Sequence, residues 1–220
     1  MFRHLVLLLA TALVAAACSG EEPVVTTDLA SPEQVVAEWF AALAEGDLPE
    51  LDAVTDPANV ALAAGAENAF SVDQMKAVVE TGLPAATRRS YWNSFGDSFV
   101  EFLGAELDEI VVSGTEEFSV DDVDFAAVFV MRQGQDSEII VRRTDTGWVV
   151  DMVATVGPAL AVQIRRLVDS IVRHGDDAAA FAYATIAVQS LGAGLARQPA
   201  NRALELELEA IEDLPIDLSR

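Results

Sequence analysis

The hydrophobic period of this chain changes twice, and those two changes restrict the fold more than any single motif. Up to about residue 103 apolar residues recur at helical spacing; from Leu107 they alternate; after Gly157-Pro158 the helical spacing returns. Helices, then consecutive strands, then helices again define an α+β chain rather than an alternating α/β one.

The first helix is announced by "SPEQVVAEWFAALAEGD". Ser31 can cap it, Pro32 suits the first helical position, and Gln34 completes an S-x-x-Q capping box. Val35, Val36, Trp39, Phe40 and Leu43 share one face, and Gly46 ends the run. Further helices are expected at 49–54, stopping before Pro57, at 71–81 and at 88–103, the last rich in Tyr91, Trp92, Phe95, Phe99 and Phe102. The three Trp residues, 39, 92 and 148, fit best as core aromatics.

The alternating stretch predicts strands near 107–118, 122–132, 138–143 and 148–156, with "RQGQDS" and "TDTG" as turns around the third. Val123, Phe125, Ala127, Phe129 and Met131 share one face of the second strand. In the fourth, Trp148, Val150, Met152 and Ala154 share a face and Asp151 lies opposite. Strands joined by turns this short form an antiparallel meander, and one face of it needs a cover that the N-terminal helices can supply. A C-terminal helical extension, 157–220, follows: a stripe of Leu160, Ile164, Leu167, Val168 and Ile171, an Ala-rich segment over 176–191, and an acidic helix over 200–214. The stripe is too apolar to face water and is expected to pack within the chain or against a partner.

The N-terminus carries Arg3 and then an apolar run, Leu5–Ala17, matching the core of a secretory signal. Its thirteen residues fall short of the roughly 20 that span hydrocarbon. In "LVAAACSG" the small residues precede Cys18, the only cysteine, so an intrachain disulfide is impossible. This arrangement resembles a bacterial lipoprotein signal, although Ala15 stands where leucine is usual. The resemblance implies a signal peptide over 1–17, acylation of Cys18 by chains such as palmitate, a lipidated tether over 18–30, and a protein anchored to the cell membrane on its extracytoplasmic face. Each buried methylene contributes about 0.8 kcal/mol, so more than one chain is needed for a firm hold.

Loss of residues 1–17 leaves 203 of the 220 residues and, with Arg3 gone, takes the net charge from −23 to −24. Such a surface repels phosphate backbones, so nucleic acid is not an expected partner. It repels anionic headgroups equally, which suits a body held off a membrane by a tether. An apolar fraction of 52% argues against disorder.

Much chemistry is missing. His174 is the one histidine beyond the leader, and with Cys18 acylated no Cys–His pair or Cys/His zinc site can form. His174 precedes Gly175 at the end of the apolar stripe, where an imidazole complements a helix C-terminus. No G-x-S-x-G, Walker-type or dinucleotide-binding glycine pattern occurs, and no cofactor is expected. "DDVD" offers oxygen ligands for calcium but lacks the EF-hand spacing, so no metal is expected and the acids suit a solvated strand edge. The one catalytic candidate is Asp151, flanked by Val149, Val150, Met152 and Val153; in an apolar pocket its pKa would rise toward that of a base. Alternation with Trp148 and Val150 places it instead on the solvent face. Tyr91 and Trp92 are candidates for pocket walls.

The helix "SPEQVVAEWFAALAEGD", the long meander and the late strand "TGWVVDMV" together resemble the NTF2-like (cone-shaped α+β) superfamily over about residues 31–156. That resemblance implies a cavity between sheet and helices, used for a small apolar ligand, for an envelope protein partner, or in some members for isomerase- or hydrolase-like catalysis. Without a catalytic motif the expectation is a non-catalytic binding or scaffold protein. The alternatives are an enzyme using a cavity carboxylate and an accessory subunit docking on a membrane complex through the C-terminal helices.

Overall fold

The computed structural model describes residues 31–104, 106–132, 135–216 and 218. The expected leader, Cys18 and the expected tether lie outside these. α1 (Pro32–Glu45) starts as expected: Ser31 Oγ accepts the Gln34 amide at 3.2 Å and Gly46 closes the helix at φ +67°. The Gln34 side chain reaches along the helix, its Nε2 donating to Glu38 Oε1 at 3.0 Å. The full box forms at α4 (Val72–Thr81), where the Ser71 amide donates to Gln74 Oε1 and Ser71 Oγ accepts the Gln74 amide.

Between them lie α2 (Leu48–Ala53) and α3 (Pro57–Glu67); α5 (Ala85–Leu103) follows α4. α3 has no counterpart in the periodicity. "PANVALAAGAE" is buried nearly all round, so it has no polar face to create a period. Its start is chemical: Asp56 accepts the amides of Ala58 and Asn59, with Pro57 at the first helical position.

A 3-10 turn over Leu107–Glu109 leads into β1 (Val111–Val120), β2 (Val123–Arg132), β3 (Gln135–Thr144) and β4 (Gly147–Val150). They form one open antiparallel sheet in the order β1-β2-β3-β4. The chain is α+β with a four-stranded meander. Beyond β4 the edge is closed by Val54 and Thr55, the Val150 amide donating to the Val54 carbonyl at 2.8 Å.

The expected fourth strand over 148–156 is corrected. It ends at Val150, and Met152 opens α6 (Met152–Arg173), with Asp151 as N-cap accepting the Ala154 amide. Pro158 sits inside this helix without ending it, so the period of two beyond Val150 is fortuitous. The expected boundary between 156 and 157 falls within α6. α7 (Asp177–Arg197) and α8 (Arg202–Glu212) complete the chain.

Both faces of the sheet are covered. On one, Ala126, Val128, Val130, Ile139, Val141 and Val150 join the main core with α1, whose Trp39 and Val36 are fully buried. On the other, Phe125, Ala127 and Ile140 pack with Ala154 of α6 and Ala193 of α7. The expected stripe is buried within the chain: Ile164, Val168 and Ile171 of α6 join Tyr183, Ala187 and Leu191 of α7 in the main core. The two helices approach closely at glycines. A Cβ on Gly157 would lie 2.8 Å from Leu191, and one on Gly194 2.8 Å from the Pro158 ring.

Trp39 touches Phe40, Trp92 and Phe95 at ring-centroid distances of 4.9, 6.3 and 5.5 Å. Its removal empties the seam between α1 and α5. Trp39→Ala is expected to cost about 3–5 kcal/mol of a total near 5–15 kcal/mol. A urea titration checks this; an unchanged midpoint would show that the seam does not hold the fold.

Candidate functional site

Asp151 is fully buried, and four chain segments converge on it. Oδ1 accepts Asn59 Nδ2 of α3 and the Ala154 amide of α6, both at 2.7 Å. Oδ2 accepts Ser190 Oγ of α7 at 2.8 Å and lies 3.6 Å from Arg142 Nε of β3. Asn59 is equally committed: its Oδ1 accepts the Val153 amide at 2.8 Å, and its Nδ2 also reaches Ser190 Oγ at 3.2 Å. Arg142 is held from outside by an ion pair with Asp56, the N-cap of α3. Asp56, Arg142, Asp151, Asn59 and Ser190 thus form one network across the seam where β3 meets α3, α6 and α7.

The expectation that Asp151 faces solvent is corrected. The alternation was sound, since Asp151 does fall opposite Val150, but that face lies beneath α6 and α7. Burial pushes the carboxyl above its ordinary value, while the Ala154 amide, the Arg142 charge, Ser190 and Asn59 pull it back only in part. A raised carboxyl is what a general base needs, yet catalysis also requires contact with a substrate. Asp151 has no exposed surface and its donors leave no position for one.

Tyr91 and Trp92 are buried in the aromatic seam between α1 and α5, their rings 5.0 Å apart. Burial, with the charge of Glu67, pushes the Tyr91 hydroxyl well above its ordinary value, so it stays protonated. Trp92 borders a polar cleft of about 520 Å³ with Asn93, Asp97, Glu106 and Asp108. Tyr91 borders a separate cleft of about 140 Å³ beside Glu67 and Phe70. Neither cleft includes Asp151, so the three candidate residues share no site. His174 caps α6, its Nδ1 bonded to the Ser170 carbonyl. Among the described residues no three or more His, Cys, Asp or Glu side chains are grouped to hold a metal ion.

Two other clefts have apolar floors. One, of about 330 Å³, lies between the ends of α3 and α6 and is lined by Gly65, Phe70, Leu167 and Arg166. The second, of about 440 Å³, lies between α7, α8 and the β1–β2 turn. Periodicity revealed neither, because each is assembled from segments distant in sequence. α7 is long and apolar enough to cross a membrane, but half of its apolar window is buried inside the fold. Among known proteins the chain matches no family model, no curated protein and no solved structure.

Asp151 is therefore a structural group, and its replacement has a signed pH dependence. Asp151→Ala strands three donors and Arg142, with an expected loss of about 3–5 kcal/mol. In the unfolded chain the carboxyl loses its proton near its ordinary value of 3.8, whereas the buried one keeps it to higher pH. Over that window the unfolded state holds fewer protons than the folded one, so the group's contribution to stability falls as pH rises. The stability gap between the native chain and Asp151→Asn, from urea titrations, should be widest near about pH 4 and narrower at neutral pH. A gap that widens toward neutrality would show that the ionised form is the favoured one.

Proposed function

We propose that this protein is a non-catalytic binding or scaffold protein of a bacterial cell envelope, anchored by lipid on Cys18 to the extracytoplasmic face of the membrane. The observation that carries the non-catalytic part is the enclosure of Asp151, the one carboxylate whose setting invited a catalytic role. The enzyme reading would need it to line a cavity. The anchor rests on "LVAAACSG", a signal-type apolar run ending at a cysteine with no intrachain partner. The helices preceding a long antiparallel meander favour the NTF2-like reading for residues 31–156, and the layer of α6 and α7 on the second face is a departure from a simple cone.

One observation favours the accessory-subunit form of this function: an apolar cleft remains open on the outer side of α7 and α8. The C-terminal helices then serve two roles, core on one side and docking surface on the other.

The anchor is tested with the full chain expressed in bacteria. The native protein is expected in the membrane fraction with an acylated mature N-terminus, and Cys18→Ser in the soluble extracytoplasmic fraction or retained unprocessed. An intact mass showing an unmodified Cys18 would refute the anchor.

A further inference from the structure

We infer that the cleft between α7, α8 and the β1–β2 turn is a docking site for a basic amphipathic helix of a partner protein, an inference resting on the reading of this chain as a non-catalytic binding module. Its floor is apolar and comes from three elements. α7 supplies Val188, Gly192 and Leu195, spaced i, i+4, i+7 on a strip beside its buried Leu191; β1 supplies Val120 and α8 supplies Leu208, and Val188, Leu195 and Leu208 are half-buried against the main core. Its volume is about 440 Å³. Gly192 sets how near the walls come, since a Cβ there would meet Val120 Cγ1 at 3.3 Å.

The rim is acidic, and two of its three carboxylates, Asp121 and Glu212, are unpaired among the described residues. Asp121 sits in a two-residue turn with Asp122, both at positive φ (49° and 63°), which projects it beside Val120. Glu212 and Glu205 border the α8 side. Among the described residues Asp121 and Glu212 enter no ion pair. The arginines next in sequence are already engaged: Arg197 with Glu116 and Glu138, Arg202 with Glu205 and Glu209. An apolar floor flanked by uncompensated carboxylates, on a chain of net charge −23, calls for apolar anchors flanked by Lys or Arg. A second copy would oppose acid to acid, and an anionic lipid surface would be repelled.

The test uses the full chain carrying Cys18→Ser, so that no acyl group competes, and two synthetic helical peptides with the same leucine face. One has lysines on its polar face, the other glutamates. The lysine peptide is expected to bind, with affinity falling as salt rises, and to shift the methyl resonances of Val120, Leu195 and Leu208; the glutamate peptide is expected not to bind. Ala196→Phe, placed in an exposed lining position, fills the cleft and should weaken binding by roughly tenfold or more. Asp121→Asn with Glu212→Gln should weaken it several-fold and flatten the salt dependence.

Three outcomes overturn the proposal. They are no binding at low salt, binding that Ala196→Phe leaves unchanged with methyl shifts elsewhere, and self-association of the chain that Ala196→Phe abolishes. Unchanged thermal melting of Ala196→Phe excludes misfolding as the cause of a loss. Because the anchor is read by mass and fractionation, its failure and that of the cleft are distinguishable.

Discussion

An ionisable carboxyl shut away from water must either be neutralised or be surrounded by donors, and the fold around Asp151 does most of the second. The residue ends the sheet, starts α6, and receives hydrogen bonds from α3 and α7 through Asn59 and Ser190. Its own amide donates to the Ile140 carbonyl at 2.9 Å, tying the turn into α6 to the middle of β3. These partners lie far apart in sequence, so the network exists only when the N-terminal helices, the meander and the C-terminal helices are docked together. Nonpolar packing alone would tolerate small shifts between these layers; directed hydrogen bonds to one buried carboxyl do not. The network fixes their register.

The same junction explains the division of labour in α7. Its inner side must approach both α6 and the sheet, and alanines and glycines at 184, 187, 193 and 194 permit that approach. Arg197 fastens its end to the sheet: the guanidinium pairs with Glu116 and Glu138 and lies over the Phe118 and Phe129 rings at 5.7 and 5.8 Å. The apolar strip beside that inner side, Val188, Gly192 and Leu195, is half-buried and borders the cleft. Buried polar groups and accessible apolar surface are thereby separated in space. The buried polar groups hold the layers together, and the accessible apolar surface carries acids at its edges.

Most of the architecture was legible because it rests on period and on caps. The apolar face of α1, the burial of Trp39, Trp92 and Trp148, the meander and the stripe of α6 follow from spacing alone. α3 was not legible as an amphipathic helix, since a helix buried on all sides carries no period; the Asp56-Pro57 pair was its only sequence signal. The end of β4 was misplaced because Met152 and Ala154 continue its alternation for a few residues, while the capping capacity of Asp151 marks the true transition. The burial of Asp151 is hidden in the sequence for a related reason. Alternation tells which residues share a face, but not what covers that face, and the partners of Asp151 are supplied by Asn59, 92 residues earlier, and Ser190, 39 residues later.

Whether Asp151 is sealed from water can be read from hydrogen exchange at the amides of Val153 and Ala154. At the first turn of a helix such amides ordinarily lack helical partners and exchange quickly. Here they donate to Asn59 Oδ1 and Asp151 Oδ1 inside the core. Both are expected to exchange only through global unfolding, with the same free energy as the slowest amides of β2 and β3. Exchange through a low-energy local opening, while those strands stay protected, would mean that water reaches Asp151 in the native state and that the residue is not sealed.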